Sequence, residues 1–387
     1  MLSAEKNMLA ISRRKFLAAA ATLPHAVQAF AKNVPAGLVP VYFGTDTDTD
    51  DKSSKGVYQS LWNPATGEFG TPRLVAKEWR PTYLAQTAGC IYVLDEMNDA
   101  NSTLESYRRR SDGSLHKLNT VTTQGFGAAY VSIHPSGRAA YAANYAGGSI
   151  TSFGILPNGH LTQPVAHFQY TGHGPNAARQ AAPHAHSAEV SPDGKFLLIN
   201  DLGLDQIHIY SIDAVDPSKI TEHGAWHGTP GAGSRHIAFA PNGSVVYNIN
   251  EMASTIDILA WDATAGTLTT VGSPVSTLPS GFQGTSAAAE VLVSSDGRFV
   301  YASNRGDDSI VVFTVNPQDR SLTFLQRIST AGKTPRHVTL SPDGKWLIAA
   351  NQNSDSVVVF QRSVADGTLT ATGHSITVPH PMFILFV

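Results

Sequence analysis

The sequence predicts an all-β chain folded as a seven-bladed β-propeller, and three observations carry that prediction. The chain of 387 residues is 42% hydrophobic and only 15% charged, with 33 Gly and 22 Pro. That composition can bury a large core while turning often, through short elements. One turn also recurs: "SPDGKFLLIND" is echoed by "HPSGRAAYAAN", "APNGSVVYNIN", "SSDGRFVYASN" and "SPDGKWLIAAN", with a weaker "QTAGCIYVLDE" upstream. Its glycines are Gly89, Gly137, Gly194, Gly243, Gly297 and Gly344, so the unit is about fifty residues long. Finally, each unit holds four strand-like runs, which is the count for a propeller blade rather than a sandwich or solenoid.

Within a unit, an apolar strand leads into the Pro-Asp-Gly type turn, and a second strand rich in Val, Ile, Tyr and Ala leaves it. A third strand follows, as in "SIVVFTV" or "SVVVFQR", then a Gly or Asp turn and a fourth such as "TLTAT". Six units carry the turn. A seventh assembles from the two ends of the chain, with "PMFILFV" supplying one strand and "PVYFGTD" and "GVYQSLW" others. Pairing the N- and C-terminal strands in one blade closes the ring and removes open sheet edges. Four-stranded antiparallel blades in a closed ring are therefore expected over residues 32–387. Counting the terminal blade as the first, the turn glycines fall in blades two to seven.

Residues 1–31 read differently. "SRRKFLAAAATLPHAVQAFA" places Arg13 and Arg14 before Phe16-Leu17, an alanine-rich apolar stretch and a small-x-small end at Ala29-Phe30-Ala31. This is the pattern of a twin-arginine export signal, too short in its apolar part to span a bilayer as an anchor. It implies the twin-arginine export machinery as a partner and a periplasmic mature protein. The single cysteine, Cys90, excludes an intrachain disulfide framework and any CxxC metal site, and is expected in the core. A net charge of −3 without a basic run gives no reason to expect nucleic acid.

Counting from each turn glycine locates the polar residues. The two strands of the hairpin are antiparallel, so positions eight before and eight after the glycine share one end, at a mouth of the central channel. Eight before stand Pro81, Ala129, His186, Arg235, Ala289 and Arg336; seven before stand Thr82, Tyr130, Ser187, His236, Glu290 and His337. Eight after stand Met97, Tyr145, Leu202, Glu251, Arg305 and Gln352. Ionisable groups thus concentrate at one mouth while the strand interiors stay apolar. His186, Arg235, Glu251 and Arg305 differ from blade to blade, as functional residues do and architectural ones do not, so they are the candidate catalytic set. His184, Glu290, Arg336 and His337 are candidate substrate-binding residues, although Arg336 and His337 suit an inter-blade tie equally well. The residue seven after each glycine (Glu96, Asn144, Asp201, Asn250, Asn304, Asn351) is expected to cap the turn that follows. The long insertion "QYTGHGPNAARQAAPHAH" either lays Arg179 over the mouth as a substrate-binding lid or forms a surface loop.

At these residues the chain resembles a known family, the seven-bladed propeller lactonases, which include the bacterial propeller-type 6-phosphogluconolactonase and fungal carboxymuconate cyclase. The resemblance rests on "RQAAPHAHSAEVSPDGKFLLINDLGLDQIHIY", "GSRHIAFAPNGSVVYNINEMASTIDI", "AAAEVLVSSDGRFVYASNRGDDSIVVF" and "TPRHVTLSPDGKWLIAANQNSDSVVVF". It spans residues 38–387. It implies a cofactor-free site at the channel mouth, with the family's histidine, two arginines and glutamate falling on His184 or His186, Arg235, Arg305 and Glu251. "GSRH" stands where the family usually has "GPRH", and Arg235 is kept.

GxSxG, HExxH, P-loop and GxGxxG patterns are absent. "DTDTDD" at 46–51 lacks the glycine and the final glutamate of a calcium loop and reads as a solvated turn. No metal site and no membrane anchor are expected. The expected function is hydrolysis of a small sugar-derived or other anionic lactone, like a 6-phosphogluconolactonase. Its rivals are a carboxymuconate-type intramolecular lyase with a carboxylate substrate, and a propeller that only binds a ligand or protein at its mouth.

Overall fold

Six glycines with φ between 68° and 87° set the frame: Gly89, Gly137, Gly194, Gly243, Gly297 and Gly344 all adopt the left-handed turn conformation that glycine alone takes without strain. In the two "SPDG" turns and the "SSDG" turn the aspartate accepts from the serine hydroxyl (Ser191 to Asp193, Ser341 to Asp343, Ser294 to Asp296), and the serine carbonyl receives the glycine N–H. The hairpin register is thereby fixed locally.

The computed structural model describes residues 37–387 except Asp99, and the export signal expected at 1–31 lies outside that range. The described residues form seven antiparallel sheets arranged as blades. The inner strands of blades two to seven are Pro81–Thr87, Ala128–Ile133, Ala185–Val190, Ser234–Phe239, Ala287–Val293 and Pro335–Leu340. Blade one takes its inner strand, Pro381–Phe386, from the C-terminus and pairs it with Val39–Thr45, Val41 opposite Phe386. The ring closes as expected. In blades one and five the outermost position is shared by two short strands, Glu68–Phe69 with Arg73–Lys77 and Thr267–Thr270 with Val275–Ser276.

The core lies between blades. Seven apolar clusters occupy the seven inter-blade interfaces among the described residues, for example Ile249, Val300 and Phe313 between blades five and six. Each blade therefore stabilises its neighbours through buried apolar area rather than covalent staples. Cys90 is buried in the cluster between blades two and three. No helix of the described residues is long and apolar enough to cross a membrane.

One irregularity positions the site. Every inner strand breaks register at its first turn, leaving Thr82, Ala129, His186, Arg235, Arg336 and Met382 unpaired, and both Ala289 and Glu290 in blade six. A bulge bends the strand and re-aims its side chain. Repeated around the ring, it turns one residue per blade toward the same mouth. In blade two the bulged residue is Thr82, so counting eight back to Pro81 misses it by one.

Candidate active site

Glu251 is the hub of the mouth. It follows the second strand of blade five, Val245–Asn250, and its N–H bonds the Gly233 carbonyl, which fixes it at the same end as the Arg235 bulge. Its Oε2 lies 3.1 Å from Arg235 Nε and 2.6 Å from an Arg305 guanidinium nitrogen. Its Oε1 accepts from Arg179 at 2.6 Å. Burial works against the Glu251 charge, but Arg305, Arg235 and Arg179 outweigh it and hold its carboxyl well below the usual carboxylate range. Three guanidiniums thus face one carboxylate, leaving a net positive surface.

The arginines are anchored from behind. Arg235 is only 2% exposed and donates to the Ala289 carbonyl, which the irregularity in blade six leaves free of the ladder. Arg305 donates to the carbonyls of Ala287 (3.3 Å) and Ala288 (3.2 Å). Arg179 reaches the mouth from the long insertion through its bond to Glu251. It touches Tyr145 Oη at 3.4 Å, and its loop is held by the buried Gln180 amide on the Leu202 carbonyl. Arg336 projects from its bulge with no carboxylate partner within ion-pair distance among the described residues. Burial lowers its pKa, Arg305 lowers it further, and Glu96, Glu251 and Asp46 oppose both.

The histidines divide. His186 Nδ1 is 3.2 Å from His236 Nε2, and His236 Nδ1 is 3.0 Å from Glu290 Oε1. Burial first, then Arg235, His236, Arg336 and Arg305, push His186 far below the usual imidazole range, so it is neutral near pH 7. His184 stacks on Tyr145, with ring centroids 4.6 Å apart, and donates Nδ1–H to the Tyr145 carbonyl at 3.0 Å. The narrow cavity at the channel axis is lined by Thr82, Tyr83, Ala129, His186, Arg235, His236, Glu290, Arg336, His337 and Met382. In its wall Tyr83 packs on Tyr130 and Phe383, and His337 on Phe383.

The structure therefore brings His184, His186, Arg179, Arg235, Glu251, Arg305 and Arg336 to one mouth. Glu290 and His337 line the same cavity, where Glu290 is engaged by His236 and lies 3.8 Å from His337 Nε2. These two bridge blades five, six and seven, which is the inter-blade tie weighed for His337. The residue seven after the glycine is structural, but its partner differs from the expected one. Asn144, Asn304 and Asn351 donate to the carbonyls of Thr123, Thr277 and Thr330, on the connections that arrive from the preceding blade, and Asn144 also spans its own turn to Ser149 Oγ (2.9 Å), whereas Asp201 caps the backbone of its own turn by accepting from Leu204 N–H. The "DTDTDD" turn is solvated only in part: Asp46 is buried against Arg80, 3.2 Å away, and Arg80 also binds Glu96 at 3.0 Å.

His236 was missed as a site residue, although it occupies the same register as Glu290 and His337. Tyr145 was visible eight after its glycine but carries no charge to mark it. Arg80 and Asp46 lie outside the repeat positions, and no periodic signal points to them.

Comparison with known proteins agrees with this fold. The chain is 32% identical over 349 residues to a 6-phosphogluconolactonase of Bacillus subtilis, covering 89% of this chain and 97% of that protein. A periplasmic gluconolactonase of Pseudomonas aeruginosa superposes with a TM-score of 0.84 at 30% identity, covering 90% of this chain and 99% of that one. A protein of Lactobacillus plantarum gives 0.84 at 32% identity, with 90% and 99% coverage. Residues 40–386 match the family described as Lactonase, 7-bladed beta-propeller, and the chain belongs to that family.

Proposed function

We propose that this protein hydrolyses a small lactone bearing a carboxylate or similar anionic group at the Glu251 mouth. One observation carries the reading: three arginines share a single carboxylate beside an unpaired Arg336, and a neutral histidine stands next to them. Guanidiniums in that surplus bind an anion and offset charge developing on the lactone carbonyl oxygen. Glu251, with both oxygens occupied by guanidiniums, has no free lone pair to offer a water and serves to orient the arginines. His186 takes the proton from the attacking water, because its neutral ring keeps an unpaired nitrogen. The new carbon–oxygen bond forms as the ring ester bond breaks, and the proton passes to the departing ring oxygen. The site residues need no cofactor for these steps.

The same reading includes export by the twin-arginine route, with residues 1–31 removed and residues 32–387 forming the mature domain. The Arg13-Arg14 signal supports it, as does the periplasmic description of the Pseudomonas aeruginosa neighbour.

The test is a turnover screen of the purified protein on anionic sugar lactones, neutral sugar lactones and muconates. Hydrolysis with a preference for anionic lactones is expected. Turnover of muconates alone would replace the reading with the lyase, and absence of turnover on all three classes would leave a binding propeller.

A further inference from the structure

We infer that Glu290 and His236 form a proton relay behind His186, with Glu290 as the group that stores the proton during turnover. This rests on the lactonase reading above. The geometry is a line of three side chains from three adjacent blades: His186 Nδ1 to His236 Nε2 at 3.2 Å, then His236 Nδ1 to Glu290 Oε1 at 3.0 Å. A carboxylate only accepts, so His236 must donate from Nδ1. His236 Nε2 then accepts, and His186 must donate from Nδ1. That leaves the lone pair of His186 on Nε2, which has no partner among the described residues. The carboxylate two residues removed from the mouth thus dictates which nitrogen acts as base.

Electrostatics explain why the relay is needed. An imidazolium at His186 would sit among Arg235, Arg336 and Arg305, the groups that already hold it neutral. Moving the proton onward removes that conflict. As His186 Nε2 gains a proton from water, Nδ1–H passes to His236, and His236 Nδ1–H passes to Glu290. Both imidazoles end neutral and the carboxylate becomes a carboxylic acid. Reversal of the same transfers returns the proton to the ring oxygen when the ester bond breaks. Glu290 is suited to hold that proton because it is buried, and burial raises its pKa, with His337 and Arg235 opposing. The titratable groups facing it are His236 and Arg235 of blade five, His337 of blade seven, Tyr83 of blade two and Glu189 of blade four. In this scheme His186 touches the reacting atoms, whereas His236 and Glu290 act through it as positioning residues.

The experiment compares Glu290→Gln and Glu290→Asp in the purified protein on a lactone that the wild type hydrolyses. Gln keeps the shape and still accepts from His236 Nδ1–H, so the fold should persist, checked by melting temperature. It cannot take a proton. The expected result is a kcat lower by roughly tenfold or more with KM within about twofold, since acid–base groups contribute about 10²–10⁴ in rate. The acid limb of the wild-type kcat profile, which follows protonation of Glu290, should vanish in Glu290→Gln, and Glu290→Asp should recover part of the rate. Wild-type-like kcat in Glu290→Gln, an effect confined to KM, or no recovery in Glu290→Asp would each overturn the relay. Those outcomes leave lactone hydrolysis standing, whereas a wild type without lactone turnover overturns the reading and the relay together.

Discussion

Arg305 reaches across from blade six to within 2.6 Å of Glu251 in blade five, while Arg336 in blade seven has no such carboxylate among the described residues. The two arginines are therefore different probes of one site. Arg336→Ala removes a cation without stranding a partner, so kcat/KM should fall with the fold unchanged. A lost hydrogen bond to a charged group costs about 1.5–3 kcal/mol, which is roughly ten- to a hundredfold in kcat/KM. Arg305→Ala should show a similar loss. Steady-state kinetics on an anionic lactone measures both, and unchanged kcat/KM in both variants counts against the anion site.

Glu251→Gln should cost stability as well as rate. Its amide faces three guanidiniums that no longer have a counter-charge, and breaking a buried ion pair from one side costs about 3–5 kcal/mol. A melting temperature lower by roughly 5 °C or more is expected. A variant that melts like wild type would mean the cluster is more hydrated than its 6% side-chain exposure implies.

Arg179 is 44% exposed on its side chain, so its pair with Glu251 is screened by solvent. Arg179→Ala should leave the melting temperature within about 1 °C, because exposed pairs contribute little. Its position at the mouth predicts a KM several-fold higher with kcat nearly intact. Titration calorimetry with an unreactive anion would detect the same weakening.

Three carboxyls predict the pH dependence of stability. Asp95 is raised to about 9 by burial and by Glu105 and Glu78; Glu189 is raised to about 8 by burial and Glu290; Glu78 is raised to about 7 by burial and Glu105. A carboxyl with a higher pKa when folded binds its proton more tightly in the folded state. Its stabilisation is complete below the unfolded value near 4 and is lost as pH rises through the folded value. Melting temperature should therefore decline from about pH 7 to pH 9; at lower pH the buried His186 and His236, whose pKa burial depresses, gain stability as pH rises and offset the slope. Asp95→Asn should flatten that decline, and an unchanged slope would argue against a proton on Asp95.

For export, replacing Arg13 and Arg14 by lysine should retain the unprocessed chain in the cytoplasm, because the receptor reads the arginine pair. Fractionation and immunoblotting provide the measurement. Normal periplasmic processing of the variant would refute the twin-arginine route.

The blade hairpins were legible because their information is local. A Ser-Pro-Asp-Gly turn sets its own φ angles and hydrogen bonds within six residues, and alternation then commits each strand face. Six such units, with strand signals left over at both termini to make the seventh blade, admit one closed ring, and the mouth-facing positions follow by counting from the glycine. That counting brought out His186, Arg235, Glu251, Arg305 and Arg336. It could not show who touches whom. Arg179 and Glu251 are 72 residues apart, His186 and His236 are 50 apart, and His236 and Glu290 are 54 apart. Their contacts exist because ring curvature and the bulges bring three or four blades to one axis. The same dependence moved the asparagines from capping their own turns to holding the connection that arrives from the preceding blade, shifted the blade-two position from Pro81 to Thr82, and buried Asp46 against Arg80. Partner choice between blades is set by distance and burial in the assembled ring, and neither quantity is written in any single fifty-residue unit.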